Sequence, residues 1–344
     1  MGIVPEESYA ENAIDAGGTP TFHIQTESHN PGLNDENQFL NLGEMSPVKD
    51  RKGYVEPTAD VTTSADSKVF STFMYYLLGN YKFTEGGYTN GNITKNVHEF
   101  WGGKKRNLPS STIAWATDGI EKVSWGNILS SFKFTADTEI TKLEPSYVYA
   151  NEKAVDIDID AYDTTLLDTI PFIGYDWELT FGKFGNGIAN DCEVEIDNNI
   201  NTDKLTVLGS RFYQRRPKSD KRDCTLTVST IFDEEMVDLV INAMYGEKVK
   251  TDGYYHPSEC KSLHDDITLK AMTCEESNEY VLFKFPNATI ELDSPIEAGE
   301  SAPEISFKIT PLMNKSVTLK DGTTKKVTDI YCQVVNDQPA IVDE

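Results

Sequence analysis

The chain has 344 residues, 38% of them hydrophobic, enough apolar material for one large core or two modest ones. It carries 31 basic against 56 acidic side chains, and a formal net charge of −25 should repel free nucleic acid and anionic membranes. No apolar run approaches the ~18 residues of a membrane-crossing helix, so no membrane binding is expected.

The opening residues, MGIVPEESYAENAIDAGG, have neither a basic region nor an apolar stretch behind it, so a secretion leader is not expected. They also lack the Ser or Thr of a myristoylation motif at the sixth position. The segment up to about residue 54 is loop-rich and reads as an arm, with the first strands beginning near residue 20. A β-like run at 59–65 leads into an amphipathic helix over 66–78. Val69, Phe70, Phe73, Met74 and Leu77 fall on one helical face; Asp66 is placed to cap its start and Gly79 to end it. A basic knot, Lys104, Lys105 and Arg106, follows in a loop. Residues 110–134 form two alternating runs around Asp118-Gly119, a strong hairpin signal.

At 154–163 stands AVDIDIDAYD. Asp156, Asp158 and Asp160 match the first positions of a calcium-binding EF-hand loop, but Ala161 replaces the turn glycine and Leu167 the bidentate glutamate. Val155, Ile157 and Ile159 alternate with the carboxylates, the pattern of a half-buried strand with an acidic face. GKFGNG at 182–187 reads as a turn between strands, not a phosphate loop. Strands are expected at 203–214 and 222–232, with the densest positive charge between them: Arg211, Arg215, Arg216, Lys218, Lys221 and Arg222. These basic residues suit either solvated loops, nucleic-acid binding, or contact with acidic faces of neighbouring copies, the last being preferred in so acidic a chain.

A second helix is expected over 233–245, with Asp233 as cap, Gly246 after it and Met236, Val237, Val240, Ile241 and Met244 facing a core. His256, Cys260, His264 and Cys274 form a loose set of metal-ligand types without the spacing of a zinc site, and no metal or other cofactor is expected. Further strands are expected at 281–293 and 302–312, and a hairpin around Asp321-Gly322. The five cysteines, an odd number without a CxxC, read as reduced thiols made in a cytosol, where the three sequons carry no meaning. With no GxSxG or HExxH motif, the chain is not expected to be an enzyme.

The two helices match position for position, their closing glycines Gly79 and Gly246 lying 167 residues apart. Downstream, 122–134 echoes 281–293, with Asn127 aligned to Asn287 and Ile128, Ser130 and Phe132 to Ala288, Ile290 and Leu292, an offset of 160. The order of these matches predicts an internal duplication. The expected organisation is an N-terminal arm with first strands over 1–54, a first repeat over 55–150, a linking strand over 151–171, a second repeat over 172–314 and a C-terminal hairpin or tail over 315–344.

The ordered pieces resemble the tail tube proteins of long-tailed, siphovirus-like bacterial and archaeal viruses. The resemblance rests on the β-run and helix ending in LLG or MYG, on LPSSTIAWATDGIEKVSWGNILSSFKFTA, on IANDCEVEIDNNINT, and on FKFPNATIELDSPIEAGESAPEISFKITPL. It implies a mostly β, sandwich- or barrel-like fold with one helix per repeat. It also implies self-assembly into rings stacked as a tube whose acidic channel conducts viral DNA, in a virion tail assembled in the host cytoplasm. The partners it implies are the tape measure, tail terminator and distal tail proteins. A single-domain member is much shorter than this chain, so three duplicated copies would make a pseudo-six-fold ring, with a homohexamer as the alternative. The rival readings are a distal tail or baseplate hub ring and a secreted β-sandwich adhesin or carbohydrate-binding module.

Overall fold

A computed structural model describes residues 1–18, 20, 22–34, 37–40, 49–103, 107–117, 120–155, 170–187, 189–232, 236–246, 249–251, 254–256, 262–273, 278–293, 304–322, 324–326 and 329–342. The chain is mostly β, and every strand pairing among these residues is antiparallel. Alternating sequence folds as expected: in Asp191–Asp197 the residues Cys192, Val194 and Ile196 are buried, while the four acidic residues between them reach the other face.

The same order of elements and pairings occurs twice. In the first half, strand Thr58–Ser64 enters helix α1 (Ser67–Leu78), and the hairpin Asn80–Asn90 with Ile93–Trp101 follows. Ser111–Thr117 then pairs with the start of the long strand Ile120–Ala136, whose end pairs with Lys142–Val148, which returns to Thr58–Ser64. In the second half, Asp223–Ile231 leads to helix α2 (Val237–Tyr245) and the small hairpin Val249–Thr251 with Tyr254–His256. Leu263–Met272 pairs with the long strand Tyr280–Leu292, whose end pairs with Glu304–Thr310, which returns to Asp223–Ile231.

Each long strand changes partner at an irregular residue with positive φ: Gly126 (φ 69) in the first and Asn287 (φ 52) in the second. A side chain at Gly126 would meet the Ala150 Cβ at 2.7 Å, so only glycine fits that bend. Before the bend the first long strand takes Asn151–Val155 on its other edge, and the second takes Tyr331–Asn336.

Two strands join the halves. Asp191–Asp197 lies between the end of the first long strand and Asp223–Ile231. Tyr331–Asn336, buried at every residue, lies between the second long strand and Ile93–Trp101. The segment after residue 315 does form the expected hairpin, Ser316–Thr318 with Thr324–Lys326, but it continues into this central strand and is not a tail.

Helix α1 has the expected caps. The Asp66 side chain accepts from the Val69 N–H at 2.7 Å, and Gly79 adopts the left-handed conformation (φ 73) with its N–H on the Tyr75 carbonyl. Val69, Phe70, Phe73, Met74 and Leu77 are all buried. Phe70 packs on Phe132, Phe134, Phe172, Trp177 and Phe283, aromatic rings from both halves, at centroid distances of 5.3 to 6.2 Å. One core cluster accordingly contains residues of both halves.

Three expectations are corrected. In α2 the buried residues are Met236, Leu239 and Val240; Val237 and Ile241 are half-buried and Met244 is 50% exposed. The helix is short and its main strand contact is the second long strand, so its buried stripe is narrow and rotated toward Leu239. Its expected cap, Asp233, lies outside the described residues. Residues 203–214 are a loop and not a strand: Leu205 and Tyr213 fold back on Val148 in a small separate cluster, with Gly209 at φ 92. The first residues are not an arm. Gly2–Pro5 pairs in register with Ser111–Thr117 and Ile3 is fully buried, which leaves the exposed strand Lys49–Lys52, paired with Asn37–Leu40, as the arm-like part.

Candidate functional site

The strand order Thr58–Ser64, Lys142–Val148, the end of Ile120–Ala136, Asp191–Asp197, Asp223–Ile231, Glu304–Thr310, the end of Tyr280–Leu292 makes one continuous antiparallel sheet across both halves. Its inner face is the core, on which α1 and α2 lie. Period-two alternation gives the other face a uniform chemistry. Its carboxylates are Asp60, Glu144, Asp191, Glu193, Glu195, Asp197, Asp223, Glu291 and Glu304. Its cations are Lys133, Lys142 and Lys308. The remaining outward residues of these paired segments are Ser and Thr, except Ile231 at the rim, 49% exposed, and the paired Ile128 and Val148, both buried, with Val148 covered by Leu205 and Tyr213 of the 203–214 loop.

Two of the three lysines are occupied. Lys133 Nζ pairs with the Glu193 carboxylate at 2.9 Å, and that hydrogen bond holds its pKa above the ordinary lysine value. Lys142 Nζ pairs with Glu27 at 2.8 Å, which raises its pKa in the same way. Both raised values keep the ammonium groups charged while their partners cancel the field they present to solvent. A phosphodiester backbone near this face meets carboxylates and hydroxyls but little uncompensated positive charge to hold it. The neighbouring carboxylates repel one another as well: Asp197 stands directly across from Asp223.

The basic loop does something different from what its composition suggests. Asp191–Asp197 and Asp223–Ile231 are the two arms of a hairpin, extended by Ile200–Asn201 pairing with Lys218–Ser219. Three arginines at its far end bind within the chain. Arg211 Nε donates to the Gly53 carbonyl at 2.7 Å. Arg216 donates to the Leu108 carbonyl and lies over the Tyr9 ring at 5.7 Å. Arg222 donates to the Leu77 carbonyl at 3.2 Å and to Asn198 Oδ1 at 2.8 Å, and pairs with Asp329 at 3.4 Å. It thus places a cation at the α1 C-terminus, where the helix dipole favours one. Arg215 and Lys218 are exposed, and Lys221, 90% exposed, sits 3.4 Å from Asp223. These three are the members of the loop still available to another molecule. Lys104, Lys105 and Arg106 lie outside the described residues, as do Asp156, Asp158 and Asp160; Asn151–Val155 just before the latter is a strand.

Sequence reasoning did not find the sheet face, although its signal was present as Ser, Thr and charged residues at alternate positions of seven separate strands. It also missed a buried polar clasp. The Ile341 N–H donates to the Tyr81 hydroxyl at 3.1 Å, which lies 3.0 Å from His98 Nδ1, and His98 Nε2 lies 3.1 Å from the Gln338 carbonyl. A carbonyl only accepts, so Nε2 carries the proton and Nδ1 accepts from Tyr81. Burial lowers the His98 pKa to about 4, consistent with a neutral ring. Among the described residues no group of three His, Cys, Asp or Glu is placed to hold a metal; Cys260 and Cys274 lie outside them. The cleft beside the basic loop, about 940 Å³, is lined by mixed charge, Lys221, Arg222 and Lys308 against Asp220, Asp223 and Asp329.

No protein-family model matches this chain, and no curated protein matches it in sequence.

Proposed function

We propose that this chain is a non-enzymatic structural protein that forms stacked rings, the tail tube of a long-tailed virus, with the open sheet face lining a channel for DNA. The observation that carries this reading is the face itself: a continuous antiparallel sheet, backed by core and helices, whose exposed outward residues are mainly Ser, Thr and nine carboxylates against three lysines, two of them paired. An acidic, hydroxyl-rich wall repels a passing duplex and gives its phosphates few cations to hold. The net charge of −25 supports the same reading.

The twofold recurrence of element order, pairing and bend supports an internal duplication, with each repeat a sheet carrying one helix. Three copies would then supply six repeats to a ring, and a homohexamer is the alternative. Acidic faces and the exposed Arg215, Lys218 and Lys221 are suited to setting the register of ring on ring. The tape measure, tail terminator and distal tail proteins would be its partners in the virion.

Sedimentation velocity over a concentration series tests the reading. Growth from the 38.5 kDa chain to discrete rings and then to long polymers is expected. Arrest at a single ring points instead to a hub of the tail, and a chain that stays single at every concentration overturns self-assembly.

A further inference from the structure

The strands of the open sheet run antiparallel between the same two ends, and those ends differ in charge. Four of the strands have seven residues, which makes the sheet roughly 20 Å from end to end, about twice the screening length at physiological salt. Each end therefore presents its own field to a neighbour. At one end the register brings together the turn after Ala136, the residues before Asp191 and after Ile231, and Glu304. Asp293 belongs there through its N–H on the Ser306 carbonyl, and the 170–176 segment through the bridge of Ile173 to Ile140. Positions 137–141, 170–176, 189–191, 231–232, 293 and 304 carry six carboxylates and no lysine or arginine. Lys142, next to them, is neutralised by Glu27 at 2.8 Å.

The opposite end is basic. There the arms Asp191–Asp197 and Asp223–Ile231 continue into the 199–221 loop, and Thr58–Ser64 is preceded by the exposed strand Lys49–Lys52. Loop and strand form one surface, because Arg211 Nε donates to the Gly53 carbonyl and the Val55 N–H donates to the Arg211 carbonyl. Residues 49–54 and 199–221 hold nine basic side chains against three acidic ones, a local reversal of sign in a chain of net charge −25.

Both ends also expose apolar side chains over the same strand. Leu205 and Tyr213 anchor the 203–214 loop on Val148, the last residue of Lys142–Val148, and Leu208 in that loop is 96% exposed. At the other end of that strand stand Ile140, two residues before it, and Tyr175, two residues from the bridge at Ile173 and 80% exposed. Displacing one copy along its strands carries its Leu208 toward Ile140 and Tyr175 of the next. Apolar side chains rimmed by charge in this way mark contact sites.

We infer that copies of the chain meet head to tail along the strand direction, the basic end of one seated on the acidic end of the next with Leu208 against Ile140 and Tyr175. This rests on the proposed tube and supplies its ring-on-ring contact. Opposite charge fixes which way round the rings meet, since two basic or two acidic ends repel. The apolar contact adds an attraction that salt does not screen. A contact between opposite ends of one strand repeats by translation and gives an open stack.

Charge reversal separates stacking from ring formation. One variant combines Arg215→Glu, Lys218→Glu and Lys221→Glu; the other combines Glu139→Lys, Asp293→Lys and Glu304→Lys, all at exposed positions. In sedimentation velocity each triple variant should stop at single rings. The chain with all six substitutions, its ends exchanged in sign, should stack again. Triple variants that stack like the native chain overturn this contact and leave the ring-forming reading standing. A six-substitution chain that stays at single rings overturns the pairing of these two ends. Cysteine cross-linking reads the apolar contact: Leu208→Cys with Tyr175→Cys in one chain should give a reducible ladder of chains on oxidation, and either single variant should give none. Stacks without the ladder overturn the placing of Leu208. A chain that never associates overturns both the contact and the reading on which it rests.

Discussion

Replacing Arg222 by Met separates a structural arginine from an interfacial one. The Arg222 side chain is 8% exposed and its partner Asp329 13%. Its guanidinium reaches Asn198, the Leu77 carbonyl at the end of α1 and Asp329, so one substitution removes a charge-assisted bond to each. Such bonds contribute ~1.5–3 kcal/mol apiece, and they are not additive. Taking one partner from a buried ion pair costs about 3–5 kcal/mol, because the other charge stays behind in a poorly solvated site. The expected loss for Arg222→Met is therefore about 3–5 kcal/mol. With a urea slope of about 3 kcal/mol/M, that moves the unfolding midpoint down by roughly 1–1.7 M. Lys221→Met, at a side chain 90% exposed, should change stability by less than ~0.5 kcal/mol. Both are measured by urea unfolding at concentrations where the chain is single. If Arg222→Met unfolds within ~0.5 kcal/mol of the native chain, the guanidinium is not holding the end of α1, and the assignment of this residue to the interior is wrong.

Phe70→Ala should cost ~3–5 kcal/mol, since the ring is fully buried among five aromatic neighbours from both halves, and thermal unfolding should show both halves weakened together. His98 makes stability pH-dependent. Its folded pKa of about 4 lies below the unfolded value of about 6.5, so the unfolded chain binds more protons as pH falls between them and stability is lost. Relative to pH 7.5, the native chain should lose about 2 kcal/mol more at pH 5 than His98→Gln does, and equal losses in urea titrations would contradict the neutral, buried ring. Exchanging Glu144, Glu195 and Asp223 for Lys, all exposed on the open face, should leave the fold intact and create duplex-DNA binding at 50 mM salt that is lost at higher salt. Gel shifts that stay absent for the triple variant would show that the face is not what keeps DNA off.

The local features were legible because their causes are local. Asp66, the apolar stripe of α1 and Gly79 encode a helix with both ends, and alternation encodes the strands. The paired echoes at 167 and 160 residues pointed to the recurrence of helix and long strand, but not to the bends at Gly126 and Asn287, which fall one residue out of that alignment. What failed depends on partners distant in sequence. Tyr331–Asn336 has the composition of any buried strand, and nothing in it names Ile93–Trp101 as its neighbour. Residues 203–214 have strand-like composition, but Leu205 and Tyr213 find Val148 instead of a sheet. The arginines at 211, 216 and 222 read as surface charge, because a sequence does not reveal which carbonyls a long side chain will reach. The open face was spread over seven strands, and only their hydrogen-bonded order makes it one surface.

Negative-stain imaging of the purified protein at high concentration addresses the central claim most directly. Six-lobed rings, stacked into tubes with a central channel, are the expected result, with three chains per ring by mass. A field of dispersed single chains would contradict the account.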